Sequence, residues 1–541
     1  TAAAVTLGAI TTGDGSANSN VGIEIGSGVT GLVSLTGNLA TNGADPSGNA
    51  GAVSFAGGSS VQLNNPISIN TDSTAGTDRN ISFSVAVNSD NALTTRDLTL
   101  TAGTGNITFS GAVGTTVSLE DILINSATDV TFSQAVTAES ITQSAGTGST
   151  TFNGAISTAA ANGAINLTTT TLIDVNSTLA AGGGTITLTA DEINLDGGAN
   201  TVSGTSTITL QPDSAGDNID ITSAGNATAG KLELTSGDIA ALAGGFSTII
   251  IGHVDGTGIA TVVGASSFGD AVTIRMPAVS GDIVVSAALD TLADSDAGAI
   301  TLTASATTTT ISANITTAGG AVTISSTAVL AGGGTITIDT TNGGAVAAVA
   351  NISFSGTLDA TTSATENLTL RAGTGGDITF TGLVGNTTRL GNITISGANN
   401  VTTNGIKASG LTQTTGQATT TLDGGTFGVD IDDASAVSIT TKTITVNHTI
   451  TTVGGAVSLQ ATANSGGSVT TAAAVAITTT AAANSGTASG AVDIDAGGTG
   501  NVSLSGAIVT TGAAHSGVGA TASAGGQVDI NTANGAITLA N

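Results

Sequence analysis

The sequence predicts an all-β chain built as a parallel β-helix, a β-solenoid drawn out into an elongated rod. Three observations predict it: short bursts of strict alternation along the whole length, a composition too poor in large side chains for a wide core, and self-similarity at long range. The 541 residues include 78 Gly and 10 Phe, with no Trp, Tyr or Cys. Such a chain cannot fill a broad α/β core, yet at 39% hydrophobic and 8% charged it is too apolar and too sparsely charged for disorder.

The alternating bursts come first along the chain. Val53-Ser54-Phe55, Ile81-Ser82-Phe83-Ser84, Leu98-Thr99-Leu100-Thr101 and Ile107-Thr108-Phe109-Ser110 each place apolar residues on one face and hydroxyls on the other. The pattern continues through Ile186 to Thr189, Ile193 to Asp196, Ile336 to Asp339, Ile378 to Phe380 and Val502 to Ser505. Gly, Asn or Asp closes each burst, as at Asn42-Gly43, Asn162-Gly163, Asn342-Gly343 and Asn404-Gly405, where left-handed backbone lets the chain turn a corner. No segment has the period of an amphipathic helix, and the Ala runs 159–161 and 472–474 sit among helix-disfavouring Thr and Gly.

The long-range echoes follow. Leu98 to Ala155 recurs at Leu368 to Gly425, within a wider echo of about 65–155 at 335–425, and Leu32 to Ala44 resembles Asn501 to Ala513. Thr317 to Ser325 also pairs with Thr452 to Leu459. The expectation is one continuous solenoid over 1–541, with coils of roughly 20 to 30 residues. The competing architecture, a string of β-sandwich domains, is disfavoured because sandwich cores of that size usually hold Trp or Tyr.

Eight Lys and Arg against 37 Asp and Glu give a net charge of −29, and the cations are scattered singly. That excludes a nucleic-acid partner, which needs clustered cations and stacking aromatics. Without Cys there is no disulfide framework and no thiol chemistry, and no apolar run is long enough to insert into a membrane. The chain opens at Thr1 without a visible signal and is expected to be a processed portion of an exported protein.

The blocks Ala102 to Gly114 (AGTGNITFSGAVG), Ala181 to Leu188 (AGGGTITL) and Leu188 to Gly198 (LTADEINLDGG) resemble coils of bacterial filamentous-haemagglutinin-like and autotransporter-type β-helix surface proteins. The resemblance covers nearly the full length in style. It implies right-handed coiling, secretion to the cell surface or extracellular space, and a role in adhesion, biofilm or extracellular fibres. The secretion domain and the membrane barrel or anchor of full-length members are not in this sequence.

Carboxylate clusters are the candidates for chemistry, because pectin-cleaving β-helix enzymes use grouped Asp for acid-base work or calcium. Asp430, Asp432 and Asp433, and Asp493 with Asp495, are weak calcium candidates, and the alternation puts Asp430 with Asp432 and Asp493 with Asp495 on one face each. Asp294 with Asp296, and Asp213 to Asp220, are also dense. Solvated strand faces and corners account for all of these without a ligand. His253, His448 and His515 lack any paired metal spacing, and no nucleophile elbow or phosphate loop occurs. The sequons at Asn80, Asn106, Asn166, Asn314, Asn351, Asn392 and Asn447 are expected by chance in a Thr-rich chain, and Thr307 to Thr310 is too irregular in spacing for an ice-binding array.

The expected function is therefore structural rather than enzymatic: an extracellular or cell-surface fibre, sheath, matrix or adhesin stalk. Its partner is itself, head-to-tail or laterally, or further repeats of the same polypeptide. One alternative is an adhesin that binds a glycan or cell-surface ligand through the irregular stretch Gly252 to Ser280; the other is a β-helix polysaccharide lyase or hydrolase. No cofactor is expected apart from calcium.

Overall fold

The computed structural model describes residues 4–12, 22–41, 48–73, 76–158, 162–225, 228, 230–305, 308–346, 350–432, 434–462, 466–483, 485, 487–514 and 523–540. They form two compact units, one of Thr1–Gly258 with Phe268–Asp270, the other of Ile259–Ser267 with Ala271–Asn541. Each is a β-solenoid in which every coil lays short strands in parallel on those of the coil before. The one antiparallel pairing among the described residues is the bridge between Ala318 and Thr341.

In the first unit three ladders line the coil. One stacks Val5, Val33, Val61, Val87, Val113, Val136, Ile156, Leu179 and Val202, so that a coil takes between 20 residues (136 to 156) and 28 (5 to 33). The second aligns Ile67, Leu98, Ile122, Ile141, Ile165, Ile186, Ile208 and Ile249. The third carries Phe55, Phe83, Phe109, Phe132 and Phe152 in register, their rings stacked at 4.7 to 4.9 Å and within 5° of parallel. Repetition at the inter-strand spacing forces this geometry, since a ring on one coil meets its equivalent one spacing above. The alternation read from the sequence is thus inward apolar, outward hydroxyl, and the inward positions are fully buried.

The second unit repeats the design with Val272, Ile300, Val322, Ile352, Ile378 and Val401 on one ladder. Its outward neighbours form a hydroxyl column: Thr273, Thr301, Thr323, Ser353, Thr379 and Thr402. The sequence echo is structural as well. Strands Leu119–Ser126 and Val136–Gln143 of the first unit correspond to Leu390–Gly397 and Ile406–Gln413 of the second, all eight residues long. The ladder before each first long strand shifts register, at Leu100/Thr101 and at Leu370/Arg371.

Corners are closed by side chains. Asn80 Oδ1 accepts the N–H of Asn106, Asn106 Oδ1 that of Asp129, and Asp129 Oδ1 that of Ser149, at 2.9 to 3.1 Å. Asn351, Asp377 and Asn400 do the same toward Thr419 in the second unit. The sequons Asn80-Ile81-Ser82, Asn106-Ile107-Thr108 and Asn351-Ile352-Ser353 are therefore coil chemistry: a corner Asn, an inward aliphatic, an outward hydroxyl. At another corner buried threonines clamp loops of different lengths, Thr158 to Gly163, Thr291 to Gly298, Thr340 to Ala350 and Thr479 to Gly490, each Oγ1 donating to the carbonyl where the chain re-enters the coil.

Three expectations are corrected. The stretch Gly252 to Ser280 is not irregular: it holds strands Ile259–Val262, Ser266–Ser267 and Val272–Met276, whose alternation is masked by outward Ile259 and Arg275. A helical turn does occur, Ser236–Ala241, made not by amphipathic period but by a capping box between Thr235 and Asp238. Left-handed backbone is found at Asn342, Gly343 and Gly405 but not at Asn162, Gly163 or Asn404; Asn42 and Gly43 lie outside the described residues.

Candidate functional site

The candidate carboxylates fall into two kinds of surroundings. Asp430 and Asp432 flank Arg389, whose Nη2 lies 3.1 Å from Asp430 Oδ2 and whose Nε lies 2.8 Å from Asp432 Oδ2. Arg389 Nη1 also donates to the carbonyls of Ala408 and Asp430, so one side chain ties three successive coils. Asp433 and His515 lie outside the described residues. Asp294 Oδ1 accepts the N–H of Asp296 in an exposed turn, while His253 and His448 accept nearby backbone N–H groups through Nδ1.

Asp493 and Asp495 project outward from strand Val492–Ala496, between Val457–Ala461 and Val528–Thr532. Register aligns Ser458, Asp493 and Asp529 in one column and Gln460, Asp495 and Asn531 in the next. Gln460 Nε2 donates to Asp493 Oδ2 at 3.0 Å, and Asp495 Oδ1 is enclosed without a hydrogen-bond partner. Burial first, then the charges of Asp495 and Asp529, push the Asp493 carboxyl above its ordinary value, against the Gln460 hydrogen bond. A raised carboxyl binds its proton more tightly folded than unfolded, so its penalty is absent below the unfolded value near 3.8 and grows as pH rises through the window above it. Acidification from neutral pH should thus stabilise these coils, and Asp493→Asn should raise their stability at neutral pH and flatten that part of the pH profile; thermal melts of both chains across the window check it.

Most buried carboxylates hold loops. Asp270 accepts the N–H groups of Gly245 and Phe246, Asp359 those of Thr387 and Thr388, and Asp339 those of Thr341 and Gly343. Asp238, 2% exposed, caps the helical turn and accepts the N–H of Leu195 at 2.7 Å, pinning the turn to the preceding coil.

One group is arranged differently. In the first unit the coil is interrupted between Gln211 and Thr248 by an insertion, in which strand Asn218–Ser223 pairs with Lys231–Thr235 ahead of the helical turn. The loop entering it carries Asp213 and Asp217, which meet Asp191 of the previous coil. Burial, the charges of Asp217 and Asp213, and a hydrogen bond with Asp217 raise the Asp191 carboxyl, opposed by the Gly230 N–H. Burial and Asp217 raise Asp213, while His253 pulls it down. Beside Asp191 lies a cavity of about 270 Å³ lined by Ser149, Thr171, Leu172, Glu192, Asn194 and Thr228. A hydrogen-bonded carboxyl pair with one raised member can hold a proton on one oxygen and present a carboxylate on the other, the requirement for general acid-base work. The density of Asp213 to Asp220 was visible in the sequence. That Asp191 joins it was not, although its distance of one coil, 22 residues before Asp213, was the available signal.

No protein-family model matches the chain, and no curated protein or solved structure is similar to it.

Proposed function

We propose that this chain is a structural β-solenoid segment of an exported, surface-associated fibre or stalk, whose work is to extend and to stack rather than to turn over a substrate. The observation that carries the reading is the allocation of side chains: inward positions form aliphatic and phenylalanine columns, corner Asn and Thr close the turns, and buried carboxylates hold loops. Such a lattice of main-chain and side-chain ladders resists extension and is lengthened by any further coil in register. Strands Val528–Thr532 and Ile537–Leu539 each have a strand partner on one edge only among the described residues. Their apolar side chains are exposed, Leu539 at 64% and Ile537 at 47%, although both continue buried columns. A further coil, from the same polypeptide or another copy, fits that edge.

Electron microscopy of the purified chain at high concentration tests this. End-to-end filaments are expected, and Ile537→Asp with Leu539→Asp should suppress them; monodisperse monomers of the unaltered chain would overturn self-assembly.

The carboxyl pair Asp191 and Asp217 beside its cavity favours a second reading, cleavage of an acidic glycan. On the structural reading, assays of acidic glycans with and without calcium give no product. Turnover abolished by Asp191→Asn and Asp217→Asn would instead establish the enzyme.

A further inference from the structure

Two glutamines stand where the apolar columns require an aliphatic residue. Gln143 lies between Ile124 and Leu167 in the first unit, Gln413 between Ile395 and Ile439 in the second, and each is 1% exposed. Each faces a buried threonine that breaks a neighbouring column. Thr150 stands between Val130 and Ile173, Thr420 between Val401 and Ile444, and their Oγ1 atoms donate to the glutamine Oε1 atoms at 2.8 and 2.7 Å.

The Nε2 atoms of both glutamines are enclosed and have no hydrogen-bond partner. A buried amide left that way costs about 1–3 kcal/mol per unmade bond, and the same cost at two sites 270 residues apart calls for a cause. The glycine three residues on supplies it. A β-carbon on Gly146 would lie 2.6 Å from Gln143 Nε2 and 2.5 Å from Thr169 Oγ1. On Gly416 it would lie 2.5 Å from Gln413 Nε2 and as close to Thr441 Oγ1. The amide and the hydroxyl of the following coil thus converge on the bare side of a glycine. Thr169 Oγ1 donates to Gly148 O at 2.6 Å and Thr441 Oγ1 to Ala418 O at 3.2 Å, so each hydroxyl keeps lone pairs for an incoming donor.

We infer that each unit binds one structural water at this place, accepting from glutamine Nε2 and donating to the threonine Oγ1 of the next coil. The water completes a polar key, Thr150–Gln143–water–Thr169 and Thr420–Gln413–water–Thr441, that joins successive coils where the columns around it are apolar. Turning the amide over would reverse the direction of its bonds and leave the water in place. A coil slipped in register would set the glutamine against aliphatic neighbours, so the key also fixes register.

A high-resolution crystal structure of the full chain is the first test. Ordered density within hydrogen-bond distance of Nε2 and Thr Oγ1 at both sites is expected; density at neither, with Nε2 bonded directly to the hydroxyl, overturns the inference. The second test is a double-mutant cycle in hydrogen exchange. Gln143→Met and Thr169→Val should each shorten amide protection in strands Val136–Gln143 and Ile165–Thr168, and together shorten it by less than the product of the two fold-changes, because either change releases the same water. Strictly multiplicative losses there, and for Gln413→Met with Thr441→Val, would show that no bridge couples them.

Discussion

Phe109→Ala will cost about 3–5 kcal/mol of stability, the range for emptying a buried phenylalanine site. Phe109 is fully buried, and its ring lies 4.8 Å from Phe83 and 4.7 Å from Phe132, so truncation removes two ring contacts and leaves a void in the middle of the stack. A solenoid cannot collapse onto that void by shifting one side chain, because the neighbouring rings are held at the strand spacing by their own ladders. The loss should therefore be local before it is global. Hydrogen exchange should accelerate first in Ile81–Phe83, Ile107–Phe109 and Val130–Phe132. Phe380→Ala, whose ring stacks on Phe354 alone at 5.1 Å, should cost less. Denaturant unfolding of both variants checks the order, and a Phe109→Ala loss below about 1 kcal/mol would mean that the column relaxes into the gap.

The fold class was legible because a solenoid writes its geometry into every coil. Ile107-Thr108-Phe109 states inward, outward, inward, and the structure places those residues buried, half-buried and buried. The echo at about 270 residues was equally plain, since the two eight-residue strand pairs draw on matching segments. What alternation cannot state is which outward residues of different coils become neighbours. Asp191 and Asp217 are 26 residues apart and meet because the coil between them closes at that length; Arg389 reaches Asp430 across 41 residues, two coils on. Gln143 and Thr150 were hidden for another reason. In a Thr-rich chain a polar residue at an inward position reads as the end of a strand, and only the ladder shows that it continues a column. The helical turn at Ser236–Ala241 escaped because a capping box outweighs poor helix propensity over so few residues.

Gly114→Val is expected to be more damaging still, leaving little soluble, protease-resistant protein. Gly114 follows Val113, the single bridge residue that carries the first ladder between Val87 and Val136, and its N–H donates to Val87 O at 2.7 Å. Its φ of +68° alone costs a β-branched residue about 1–3 kcal/mol. The greater obstacle is space: a β-carbon there would lie 1.9 Å from the carbonyl oxygen of Thr137, which is backbone of the next coil and cannot rotate aside. Gly385 repeats the arrangement after Val384, with φ +67° and a β-carbon 2.1 Å from Lys407 O, so Gly385→Val should fail in the same way. Gly334→Ala is the control, for no atom lies within 4 Å of its β-carbon position. Limited proteolysis of the three variants separates the explanations. If Gly114→Val resists protease as the unaltered chain does, coil spacing at that corner can expand past a β-carbon. If Gly114→Ala and Gly114→Val are both cleaved while Gly334→Ala is not, the close approach of successive coils, rather than glycine content in general, sets which glycines this solenoid can replace.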